Sequence, residues 1–125
     1  MGIPGVSRTI LIVEDDSRLR SGLGELLRQN GYDVVAVATG EQALLHLRGE
    51  HHADLILLDL RMPGMNGWQF RFEQQKDAAL ASIPVIVSTA DWNAEIEARM
   101  LGAVDCLRKP YKPRDLVESI RRFAA

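Results

Sequence analysis

Five short apolar runs, each followed by a segment with helical spacing, constrain this chain more than any other feature. The runs are residues 9–13, 33–37, 55–58, 83–88 and a weaker one at 104–107. They are rich in branched residues and mostly apolar without alternation, which is how strands covered on both faces read. Between them the apolar positions recur every three to four residues. Residues 17–29 place Leu19, Leu23, Leu26 and Leu27 on one stripe, and residues 41–48 do the same with Ala43, Leu44 and Leu47. Residues 67–78 carry Trp68 and Phe70, residues 93–101 carry Ile96 and Met100, and residues 114–123 carry Val117, Ile120 and Phe123. Gly31 and Gly102 stand where the first and fourth helices should stop, and Pro113 suits a first helical turn. The order βαβαβαβαβα predicts an α/β protein with a parallel sheet covered by helices on both sides.

At 125 residues the chain is one domain long. Gly2, Pro4 and Gly5 mark residues 1–7 as a loose tail before a domain at 8–125. A hydrophobic share of 46% supports a packed core, and a formal charge of −2 lacks the basic footprint of a nucleic-acid binder. The basic cluster Arg108, Lys109, Lys112, Arg114, Arg121 and Arg122 is diluted by Asp115 and Glu118, so it reads as a solvated helix face. The single cysteine, Cys106, rules out an internal disulfide and fits a reducing cytoplasm. No run approaches the ~18 apolar residues of a membrane span, and the first residues lack the pattern of a signal peptide.

In open parallel sheets, ligands bind beyond the carboxyl ends of the strands. There the sequence places Glu14-Asp15-Asp16 after strand one, Asp59 after strand three, Ser88-Thr89-Ala90 at strand four and Arg108-Lys109-Pro110 after strand five. Crowded carboxylates need a cation or a proton, and a set of hard oxygens suits Mg²⁺. Asp16 or Ser17 reads as the helix N-cap, which leaves Glu14 and Asp15 for the metal. Lys109, restricted by the proline that follows it, supplies an ammonium to screen the acids and hold phosphoryl oxygens, and Thr89 adds a hydroxyl donor. His46, His51 and His52 lie away from this edge, and no cysteine or carboxylate set completes a metal site around them.

Glu14-Asp15, the run Asp59-Leu60-Arg61-Met62-Pro63-Gly64-Met65-Asn66-Gly67, Thr89-Ala90 and Lys109-Pro110 together resemble the receiver domain of bacterial two-component response regulators, from about Thr9 to Phe123. The resemblance implies a flavodoxin-like doubly wound (βα)5 fold with strand order 2-1-3-4-5. It implies Asp59 as phosphoacceptor, with Thr89 and Lys109 contacting the phosphoryl group. It implies Mg²⁺ held by Asp15, by Glu14 through water, by Asp59 and by the backbone carbonyl of Arg61, and a cis Lys109–Pro110 bond. The donor would be a phosphohistidine on a sensor histidine kinase or histidine phosphotransfer protein. A stand-alone module of the chemotaxis-regulator type is expected: no output domain, no activity as an enzyme beyond its own phosphotransfer and autodephosphorylation, no nucleic acid or membrane as partner, and signalling to a protein through the face formed by helix four, strand five and helix five. Arg61 and Asp91 occupy the positions that tune acyl-phosphate lifetime in the family. Cys106 stands where the family often has an aromatic residue, so an aromatic switch cannot operate there in its usual form. Cys106 itself reads as a small apolar filler of the core. A phosphoester hydrolase with Asp59 as nucleophile lacks a general acid two residues on, where Arg61 stands.

Overall fold

The structure, a computed structural model, describes residues 7–124. Of the expected tail, residues 1–6 lie outside the described residues. Strands β1 (Thr9–Val13), β2 (Asp33–Val37), β3 (Leu55–Asp59), β4 (Val85–Thr89) and β5 (Asp105–Arg108) alternate with helices α1 (Ser17–Gln29), α2 (Gly40–Arg48), α3 (Gly67–Lys76), α4 (Ala94–Met100) and α5 (Pro113–Phe123). All strand pairs are parallel, in the order β2-β1-β3-β4-β5. This is the doubly wound flavodoxin-like fold. The chain reverses its direction of travel across the sheet between β1 and β3, and there the crevice at the carboxyl ends opens.

Alternation along each strand divides the core in two. Leu11, Val13, Ile56, Leu58, Val85 and Val87 face α2, α3 and α4 through Leu44, Leu47, Phe70 and Ala98. Ile10, Ile12, Leu55, Leu57 and Ile86 face α1 and α5 through Leu23, Leu27, Leu116 and Ile120. Each fully buried Leu or Ile contributes about 1.5–3 kcal/mol, against ~0–1 for an exposed ion pair such as Arg122–Glu118, so apolar burial holds these layers together.

Several sequence expectations shift. Only β3 and β4 are covered throughout, and β1 is covered except at Thr9; β2 and β5 form the sheet edges and are part-exposed. Strand β4 starts after Pro84 and runs through Thr89. Proline has no N–H for the ladder, and Pro84 serves only as an acceptor, from the N–H of Ile56. Helix α3 stops at Asp77, whose carboxylate accepts from the Ala79 N–H and so competes with the helix. On α4 the expected stripe is wrong: Ile96 and Met100 are exposed, and Ala94, Glu97 and Ala98 face inward. The face of that helix turned to the sheet is thus built from two alanines and a buried glutamate.

Candidate functional site

The β1–α1 junction is built by capping. Asp16 is the N-cap of α1, its carboxylate accepting from the N–H groups of Arg18 and Leu19. Arg20, one turn into the helix, donates from Nη1 to the carbonyls of Glu14 (2.8 Å) and Asp15 (3.3 Å). These bonds leave the Glu14 and Asp15 side chains beyond the end of β1. Arg20 was not singled out in the sequence; an arginine on the exposed side of a leucine stripe carries no signal of what its guanidinium reaches.

Register brings the other groups alongside. Val13 pairs with Leu58 and Asp59 with Ser88, so Glu14 stands beside Asp59 across one strand boundary and Thr89 just beyond it across the next. Thr89 pairs with Arg108, and the Lys109 N–H donates to the Thr89 carbonyl at 2.8 Å. Glu14, Asp15 and Asp59 each offer an oxygen, all within 4.8 Å of one another, the one such group among the described residues. Glu14 and Asp59 are 2% and 4% exposed, while Asp15 is open to solvent.

Lys109 Nζ donates to Glu14 Oε1 at 2.8 Å and lies 3.7 Å from Asp59 Oδ2. The Lys109–Pro110 bond is cis. Burial pulls the Lys109 ammonium down, but its bond to Glu14 and the charge of Asp59 outweigh that and hold it above its usual range. Burial and the Glu14 carboxylate push Asp59 up to about 7, against the pull of Lys109 and of the Arg61 N–H, which donates to Asp59 Oδ1 at 3.1 Å. One lysine does not neutralise three carboxylates. A divalent cation fits the remaining deficit, and a donor set made only of carboxylate oxygens is that of a Mg²⁺ site.

A second layer surrounds the acids. Thr89 is fully buried, and its Oγ1 accepts from the Asp91 N–H at 3.2 Å. Arg61 reaches over from the β3–α3 loop and holds the Asp91 carboxylate through Nε (3.0 Å) and Nη2 (2.9 Å). Glu97 of α4 lies buried near this pair and is raised above the usual carboxylate range by burial and by Asp91. Gly67 opens α3 against the backbone of β3: a Cβ there would lie 2.7 Å from the Asp59 carbonyl oxygen and from Leu60 Cα. Neither Glu97 nor the contact that demands glycine at position 67 was legible in sequence, because both depend on how α3 and α4 sit on the sheet. His46 and His51 stack on each other and His52 pairs with Asp54, all at the opposite, amino edge. Cys106 is half-buried, at the margin of the core instead of inside it.

The fold and this acidic, lysine-bridged cleft at the β1–β3 switch point define a phosphoacceptor type of α/β protein. The chain belongs to the response regulator receiver domain family of two-component systems, which it matches over residues 10–121. It is 38% identical over 114 residues to the DNA-binding response regulator MtrA of Mycolicibacterium paratuberculosis, covering 90% of this chain and 49% of that protein. The chain thus spans about half the length of the curated relatives it matches. Among solved structures it is similar to the chemotaxis protein CheY4 of Vibrio cholerae, with TM-score 0.86 and 26% identity over 94% of this chain and 99% of that one. It is equally similar, at TM-score 0.86 and 30% identity over 95% and 98% of the two chains, to the receiver domain of the sensor histidine kinase PA1611 from Pseudomonas aeruginosa PAO1, which has a magnesium ion coordinated in its active site cleft.

Proposed function

We propose that Asp59 accepts a phosphoryl group from a phosphohistidine on a sensor kinase or phosphotransfer protein, and that the modified domain signals by protein–protein contact. The observation that carries this reading is the Asp59 carboxylate set among Glu14, Asp15 and Lys109, with three ligand oxygens within 4.8 Å and an ammonium at 3.7 Å. A carboxylate oxygen of Asp59 forms the new P–O bond as the P–N bond breaks, and the imidazole leaves with a proton. Such transfers ask mainly for positioning and charge neutralisation. Lys109 Nζ and the Thr89 hydroxyl would bind the equatorial oxygens, and Asp15, Glu14 through water, Asp59 and the Arg61 carbonyl would hold Mg²⁺. When bound, that ion offsets the charge accumulating on the phosphoryl oxygens. Water reaches the acyl phosphate slowly past Arg61, so the domain loses its own phosphate without acting as an enzyme on other substrates.

Exposed Trp92, Ile96, Met100 and Val104 on the α4–β5 side support that face as the output surface. With a formal charge of −2, this domain's direct partner is a protein, whether separate or part of a longer polypeptide, and not nucleic acid. Membership of the receiver family supports action in the cytoplasm. No described helix is long and apolar enough to cross a membrane. Acetyl phosphate with Mg²⁺ should load one phosphoryl group per chain, in a bond cleaved by hydroxylamine. Asp59→Asn should load none. Equal loading of parent and variant would refute the assignment.

A further inference from the structure

The link between β1 and α1 carries two acids of the cleft, and part of its backbone belongs to neither element. The last paired residue of β1 is Val13, against Val37 on one side and Leu58 on the other. The Glu14 N–H still reaches the Val37 carbonyl, at 3.1 Å. The first helical acceptor is the Asp16 carbonyl, which takes the Arg20 N–H at 2.8 Å. The carbonyls of Glu14 and Asp15 therefore lie past the ladder and ahead of the helix. Acceptors in that position need another donor, and a link without one is free to turn its side chains away from the cleft.

Arg20 supplies that donor to both. From one turn into α1 its Nη1 donates to the Glu14 carbonyl at 2.8 Å and to the Asp15 carbonyl at 3.3 Å. The residue is thus held at its N–H by Asp16 and holds, at its tip, the two residues before Asp16. The Glu14 side chain has further restraints: Oε1 accepts from Lys109 Nζ at 2.8 Å and Oε2 from the Asp16 N–H at 3.2 Å. The Asp15 carboxylate stands in solvent, so its direction is set by the backbone that Arg20 holds. Because the guanidinium bonds to carbonyls and not to carboxylates, it takes no oxygen away from a cation.

We propose that Arg20 is a positioning residue of the cation site, raising Mg²⁺ affinity by fixing the backbone of Glu14 and Asp15 before the ion arrives. The proposal rests on the cleft being a Mg²⁺ site, and does not require Asp59 to accept a phosphoryl group. The sign of the effect separates a brace from a charge. A guanidinium repels a nearby cation, so by charge alone Arg20 would weaken binding; it is half-exposed, and solvent and salt screen that repulsion. A brace acts the other way, because order already present need not be imposed on binding. Groups that hold metal ligands in place are commonly worth about 10- to 100-fold in affinity.

The test is Mg²⁺ binding to the full chain by isothermal titration calorimetry, with no phosphodonor present. Arg20→Met keeps an apolar stem without the donors and should bind Mg²⁺ about tenfold more weakly, with a circular dichroism spectrum like the parent's. Arg20→Lys keeps the charge on a freer stem and should fall between the two; it carries the test if Arg20→Met does not fold. With acetyl phosphate, Arg20→Met should load slowly at low Mg²⁺ and within about twofold of the parent rate at saturating Mg²⁺, since binding and not chemistry is lost. The proposal is overturned if Arg20→Met binds Mg²⁺ as tightly as the parent or more tightly, if Arg20→Lys matches the parent, or if folded Arg20→Met stays slow at saturating Mg²⁺. A parent that binds Mg²⁺ but loads no phosphoryl group removes the phosphoacceptor reading and leaves this one standing. A parent that binds no Mg²⁺ removes this one.

Discussion

At the scale of single residues, Asp54 at the amino edge of the sheet contributes to stability at a distance from the acidic cleft. Asp54, just before β3, accepts from the Thr9 N–H at 2.7 Å and pairs with His52 and Arg8. Burial raises its pKa, but those three partners outweigh burial and leave it below the usual carboxylate range. A carboxylate depressed in the folded state contributes stability that is present above its unfolded pKa and lost as pH falls through the folded one. Asp54→Asn should therefore cost about 1 kcal/mol at pH 7, and the gap to the parent should close below ~pH 4 in denaturation curves collected across pH. Gly67 is constrained differently. Its missing Cβ is what lets α3 start against Asp59 and Leu60, and backbone atoms at 2.7 Å cannot move aside cheaply. Gly67→Ala should lose about 1–3 kcal/mol by chemical denaturation and slow phosphoryl loading, since the displaced segment carries Asp59.

At the scale of elements, α4 is tied at its C-terminal end by a buried side chain of α3. Its C-terminal carbonyls are capped from α3: Arg71, buried, donates to the carbonyls of Leu101 (2.9 Å) and Gly102 (3.3 Å) and to Gln74 Oε1. Gln74 in turn donates to the carbonyls of Leu80 and Ile83, tying α3 to the approach to β4. Arg71→Ala leaves these buried acceptors unpaired and should cost about 2–4 kcal/mol. Amide exchange within α4 should accelerate more than exchange in β1 or β3. If the loss were spread evenly over the protein, Arg71 would not be a specific anchor of α4.

At the scale of the whole molecule, the acidic cleft works against folding until it is neutralised. Two nearly buried carboxylates face each other with one ammonium between them, a cost that apolar burial in both layers offsets. A cation that binds only the folded state returns part of it. Thermal stability should rise with the logarithm of Mg²⁺ concentration, reaching about 2.7 kcal/mol at a hundredfold excess over Kd. Asp15→Ala should abolish the dependence with little change in the metal-free protein, because Asp15 is exposed and supports nothing else in the core.

The sequence by itself determined the (βα)5 architecture, because fully apolar strand runs and helical stripes at this spacing permit few other arrangements. It also determined which residues meet at the active edge, since Glu14, Asp59, Thr89 and Lys109 each directly end or follow a strand and parallel register does the rest. The inward face of α4 was misread because Ile96 and Met100 look like core by hydrophobicity alone, while the way the helix lies on the sheet turns Ala94, Glu97 and Ala98 inward. The tethers of Asp91, the brace of Arg71 and the close approach at Gly67 are contacts between elements far apart in sequence, and no periodicity encodes them. Only the tertiary structure decided that the guanidinium of Arg20 closes on the carbonyls of Glu14 and Asp15, because that contact exists only once Asp16 caps α1 and sets how the helix leaves β1.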